Sequence, residues 1–142
     1  MKKFILVSLI SIMLIGCSSN TSNYKKIGSA VNINDLELKV VSKKVEGVEN
    51  NKEKVTIHVT IKNNNKENYY VTPTTFVLND IENKLQYTTY EDKDNSATGN
   101  LQPGKELSGD ITYTVKKKNK LVLTFAPYFF DKDVKYEQFE IQ

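Results

Sequence analysis

Over most of its length this chain alternates apolar and polar residues with a period of two. Val55, Ile57, Val59 and Ile61 alternate with Thr56, His58, Thr60 and Lys62, which predicts a strand with one buried and one wet face. Leu107, Gly109, Ile111, Tyr113 and Val115 alternate with Ser108, Asp110, Thr112 and Thr114 in the same way. Leu36, Leu38 and Val40 form a third set, with Ser42 as a candidate fourth member. Shorter strands are expected at 75–78, 85–90, 121–125 and 135–141. Asn63-Asn64-Asn65, Asp80 to Asn83, Asn95 to Asn100, Pro103-Gly104 and Lys116 to Lys120 carry turn chemistry between them. About seven strands at this spacing, with no amphipathic helix, predict an all-β fold, an antiparallel β-sandwich.

The first residues break this pattern. Met1-Lys2-Lys3 precedes an apolar stretch from Phe4 to Ile15. That stretch is shorter than the roughly 18–20 residues a helix needs to cross a bilayer, so it fits a secretory signal better than a permanent anchor. Leu14-Ile15-Gly16-Cys17 resembles the bacterial lipobox, with Gly16 at the small-residue position and Cys17 the only cysteine of the chain. The resemblance implies cleavage between Gly16 and Cys17 and a diacylglyceryl group on the Cys17 sulfur. An ordinary cleaved signal with an incidental cysteine is the alternative. The expected organisation is a lipoprotein signal peptide over 1–16, a lipidated Cys17 with a flexible polar tether over 17–27, and one sandwich domain over 28–142. At about 3.3 Å per residue the tether could hold the domain some 30 Å from a membrane. This places the protein on the extracytoplasmic face of the cell membrane, held there by its lipid anchor.

Composition narrows the function. The formal charge of +3 falls to +1 once Lys2 and Lys3 leave with the signal. No arginine is present to supply the bidentate fork that reads phosphate or guanine. Neither feature supports nucleic acid as a partner. A lipidated Cys17 leaves the exported domain without a thiol, so its stability must come from core burial and not from a disulfide.

Three stretches together resemble a known family. Ile57-His58-Val59-Thr60-Ile61-Lys62-Asn63-Asn64 is similar to its first signature, and Phe76-Val77-Leu78-Asn79-Asp80 to its second. Leu101-Gln102-Pro103-Gly104-Lys105, followed by Gly109 and Ile111 to Val115, is similar to the third. Over residues 28–126 the chain resembles the telokin-like, immunoglobulin-like domain family of unknown function found on lipoproteins of Gram-positive bacteria. The resemblance implies an immunoglobulin-like sandwich of about seven strands and carries over no catalytic or ligand-binding residue.

Candidate chemistry is sparse. His58, the only histidine, falls on the polar face of its strand and is expected to be solvated or paired across strands. A Ser-His-Asp set is conceivable, but no serine sits in a nucleophile elbow, so catalysis is not expected, and no cofactor or metal is. Glu91-Asp92-Lys93-Asp94-Asn95-Ser96 alternates oxygen ligands like a calcium loop. Ala97 replaces the turn glycine and Pro103 the bidentate glutamate, so the loop reads first as a solvated acidic turn. Lys116-Lys117-Lys118-Asn119-Lys120 reads as a charged hairpin that protects an edge, or as a contact for anionic polymers. Tyr128-Phe129-Phe130 cannot all point inward from an extended strand. Either the segment plugs the end of the sandwich, or Tyr128 and Phe130 form a partner-binding patch with Phe129 buried between them. Tyr69-Tyr70 raises the same question. The expected function is a membrane-anchored binding module that engages an unknown protein at the cell surface. The alternative is a small-ligand or cation-binding lipoprotein that uses the acidic loop.

Overall fold

The expected alternation is clearest in β3 (Lys52–Asn63), where Val55, Ile57, Val59 and Ile61 are fully buried and Thr56, His58 and Thr60 half-exposed. Each such apolar side chain contributes about 1.5–3 kcal/mol by leaving water. The computed structural model describes residues 23–89, 95–117, 120–128 and 131–142. β3 pairs antiparallel with β2 (Leu36–Val48) on one side and β8 (Glu106–Lys116) on the other. β1 (Ala30–Ile33) completes the first sheet, in the order β1-β2-β3-β8. The second sheet runs β10-β9-β5-β6, built from β10 (Glu137–Glu140), β9 (Leu121–Phe125), β5 (Phe76–Asp80) and β6 (Leu85–Tyr87). A short ribbon of β4 (Tyr69–Val71) and β7 (Gly99–Leu101) stands apart from both. Every strand pair is antiparallel. Between the two main sheets Phe76 stacks on Phe125 at 5.6 Å, and Phe139 and Ile141 close the core from the C-terminal end.

This is the predicted immunoglobulin-like antiparallel sandwich, with more strands than the alternation alone suggests. β1 joins β2 through Asn34-Asp35, both at positive φ (48° and 62°). Two left-handed residues in a two-residue loop match the strand twist, and asparagine and aspartate tolerate them best. β4 and β7, at three residues each, are too short to show a period.

Two expectations are corrected. The inward set of β2 stops at Val40, because a bulge at Val41 shifts the register and leaves Ser42 exposed, paired with His58. The lysine-rich connection does not close a hairpin within one sheet. β8 belongs to the first sheet and β9 to the second, so the chain crosses between layers there. Lys120, at its end, lies 5.9 Å over the Tyr24 ring. Lys25, read from the sequence as part of the tether, donates its amide to Gln138 O (2.8 Å) and accepts from the Glu140 amide (2.9 Å).

Candidate functional site

One end of the sandwich is organised by a buried asparagine. Asn63 closes the inner face of β3 with no exposed surface. Its Nδ2 donates to Glu67 O (2.8 Å) and Leu101 O (2.9 Å), and its Oδ1 accepts from the Asn65 amide (2.9 Å). Its backbone oxygen accepts from Gly104 N at 2.7 Å. A buried amide satisfied on all sides ties the link after β3 to the end of β7 and the turn that follows it.

The link after β3 also borders a half-open cleft of about 410 Å³, lined by Asp35, Asn65, Lys66, Glu67, Tyr69 and Tyr128 among others. Asp35 comes from the β1–β2 turn, residues 64–68 from the link after β3, and Tyr128 from the segment after β9. The Tyr69 and Tyr128 rings meet edge to face, 5.5 Å apart at 61°. Tyr69 donates its hydroxyl to Pro127 O (2.6 Å), and Asn65 Nδ2 donates to the Tyr128 hydroxyl (3.4 Å). Burial pushes the Tyr128 hydroxyl above the usual tyrosine range, against the Asn65 hydrogen bond. The carboxylates of Asp131, Asp35 and Glu67 push it further the same way. Tyr69 is raised by burial too, against its hydrogen bond from Thr75. Both phenols therefore stay neutral near pH 7. The cleft joins an aromatic wall to carboxylate oxygens, a chemistry suited to a hydrogen-bond donor or a cationic group.

Of the residues expected to bind a partner, Tyr128 is half-buried in this cleft, while Phe130, and Phe129 beside it, lie outside the described residues. So do Gly16, Cys17 and the acids Glu91, Asp92 and Asp94. Ser96, last of the calcium-like set, bridges to Asp110 through its backbone, and Thr98 donates to its Oγ (3.2 Å). Among the described residues no group of three or more His, Cys, Asp or Glu side chains could hold a metal. Nor is any helix among them long and apolar enough to cross a membrane. The tyrosine pair divides, with Tyr69 tucked into the cleft wall and Tyr70 65% exposed. The contribution of Asp35 and of Asn65 was not legible in the sequence, where Asn65 reads only as a turn residue and Asp35 carries no signal of its own.

His58 is paired across strands, as its place on the polar face implies. Its Nδ1 lies 2.7 Å from Asp110 Oδ1 and its Nε2 3.0 Å from Ser108 Oγ. The order Ser-His-Asp matches a hydrolytic triad, but all three sit on the outward face of β3 and β8. A carbonyl substrate would also need amide donors at its oxygen, and the Asp110 amide is already given to Asn95 O at 2.7 Å. The array acts as a cross-strand tie.

The three sequence signatures turn out to be structural. Asn63 is the buried pin. Asp80 is 1% exposed and accepts from the Asn83 backbone amide (3.0 Å) and Nδ2 (2.8 Å), which holds the turn after β5. Gly104, at φ +71°, occupies the third position of a turn closed by Lys105 N to Gln102 O (3.1 Å).

Over residues 25–135 the chain matches the model of a family described as a domain of unknown function (DUF4352). No curated protein matches it. Among solved structures it is similar to the yjhA protein of Bacillus subtilis, with TM-score 0.67 and 18% identity over 82% of this chain and 99% of that one. It is also similar to a candidate lipoprotein (ycdA) of Bacillus subtilis, with TM-score 0.65 and 20% identity over 80% of this chain. The match spans only 38% of that protein's length. A secreted protein of Mycobacterium tuberculosis, MPT63, matches with TM-score 0.60 and 14% identity over 83% of this chain and 96% of that one. At these identities the likeness shows a shared β-sandwich fold.

Proposed function

We propose that this chain, which belongs to the DUF4352 domain family, is a lipid-anchored extracytoplasmic binding module that engages a protein partner and performs no catalysis. In this reading it is a telokin-like, immunoglobulin-like lipoprotein domain of the Gram-positive type. Leu14 to Cys17 supports the anchor, and the likeness to a candidate lipoprotein of Bacillus subtilis agrees with it. The observation that carries the binding role is the Tyr69–Tyr128 wall set among Asp35, Glu67 and Asp131. A half-open cleft of this kind receives one protruding side chain, and an amine or amide donor would satisfy both the rings and the carboxylates.

A photo-crosslinking residue in place of Tyr128, carried by the full chain in its native cells, tests this reading. One dominant adduct with a second protein is expected, absent when the crosslinker replaces the exposed Glu37. Equal adduct patterns from the two positions would reject the cleft as the contact. The cation-binding alternative rests on the Glu91 to Ser96 loop, whose acids Glu91, Asp92 and Asp94 lie outside the described residues, and no other observation favours it.

A further inference from the structure

The outward face of the second sheet holds a groove of about 440 Å³, within the span of about 300–1,000 Å³ typical of small-molecule sites. None of its lining residues carries a formal charge, in a chain of which 26% of residues are charged. Val77 and Ala126 form an apolar floor, and Tyr136, 58% exposed, stands as an aromatic wall. The polar groups are set in fixed orientations. Asn79 Nδ2 faces Val77 O and Val122 O (3.3 Å each) and Thr124 Oγ1 (2.8 Å). Backbone carbonyls only accept, so the nitrogen must face them and Asn79 Oδ1 is turned the other way. Gln138 Nε2 also donates to Thr124 Oγ1, at 3.1 Å. A hydroxyl that accepts twice keeps its own proton to give. Two amide oxygens and one hydroxyl donor are thus ordered before any ligand arrives, which lowers the entropic cost of binding.

We infer that this groove is a binding site for a neutral glycan. Sugar hydroxyls both donate and accept, matching Asn79 Oδ1, Gln138 Oε1 and the Thr124 hydroxyl. The apolar face of a sugar ring suits Tyr136 above Val77 and Ala126. The absence of formal charge disfavours anionic polymers and basic peptides alike. A peptide adding as a strand is disfavoured on the groove floor, because β5 and β9, which carry Val77, Asn79 and Thr124, are each paired on both sides. The groove shares no lining residue with the tyrosine cleft, and the inference does not depend on the protein-partner reading.

The test is calorimetric titration of the full chain, in mild detergent, with cellotetraose and with chitotetraose. At least one should bind saturably. Tyr136→Ala and Gln138→Met should each weaken that binding by about tenfold or more. Gln138→Met removes the amide at nearly constant volume, and Tyr136 is exposed, so the melting temperature should hold for both. Three results would overturn the site: no saturable binding of either sugar up to about 10 mM, binding that both variants leave intact, or competition of the bound sugar by an uncharged extended hexapeptide.

Discussion

Tyr113 shows how one polar atom sets a local cost. It lies on the inner face of β8, 3% exposed, and its hydroxyl has no hydrogen-bond partner among the described residues. Burial raises its pKa far above the ordinary tyrosine value, so the phenol is neutral and desolvated. An unpaired buried hydroxyl costs about 1–3 kcal/mol, and removing it leaves the ring packing intact. Tyr113→Phe should therefore raise stability by about 1 kcal/mol in urea melts; a clear loss would mean that the hydroxyl has a partner after all. Asn63 is the opposite case, a buried amide with every polar group used. The sequence marks both positions and misreads one. Tyr113 falls in step with its strand, whereas Asn63 looks like a turn residue because it begins a run of three asparagines. Periodicity reports which face a residue occupies but not whether a polar atom there finds partners.

Strands longer than about five residues were legible for a physical reason: a buried face imposes its period on the sequence. β2, β3 and β8 follow that rule until something interrupts it, as the Val41 bulge does in β2. β1 could also have been read, since Val31 and Ile33 precede Asn34-Asp35 and then Leu36 and Leu38, a hairpin signal of alternating apolar residues around two turn formers. β4 and β7 could not, because three residues carry no period and their pairing is decided by the loops around them. Gly109 is the element-scale residue that spacing alone leaves unexplained. A Cβ there would lie 2.7 Å from Ala97 N and Asn95 O and 2.8 Å from Ser96 C, all backbone atoms of the segment bridged to Asp110. Gly109→Ala should cost about 1–3 kcal/mol by forcing that segment off β8. Gly47→Ala, with open space around it, should change stability by less than about 0.5 kcal/mol. Equal melting temperatures for the two variants would mean that residues 95–97 do not pack on β8.

For the whole molecule, the sequence foretold the class of fold and left the cleft hidden. Asp35, the 65–69 segment and Tyr128 are far apart along the chain, and only the sandwich topology brings them to one end. The three signatures were visible because they hold turns and the core, which is why they identify the fold without naming a ligand. Location depends on residues at the other extreme of the chain. If Cys17 is the anchor, Cys17→Ser should leave the protein unprocessed or shed, and move it out of the membrane fraction. Two acyl chains hold a soluble domain stably, at about 0.8 kcal/mol per buried CH₂. Full retention of the variant after a salt wash would contradict lipid anchoring.

The proposed binding of a partner through the tyrosine cleft is separable from a purely structural role of the same residues. Tyr128 is half-buried, packs on the edge of the core and meets the Tyr69 ring edge to face. Tyr128→Ala separates the two roles when melting temperature and partner capture are measured on the same preparation. The expected result is a stability loss below about 1.5 kcal/mol, with capture weakened by at least about 1–2 kcal/mol, the scale of an aromatic anchor. A loss of several kcal/mol in stability, with capture by the folded fraction unchanged, would show that Tyr128 plugs the sandwich and would contradict the cleft as a binding site.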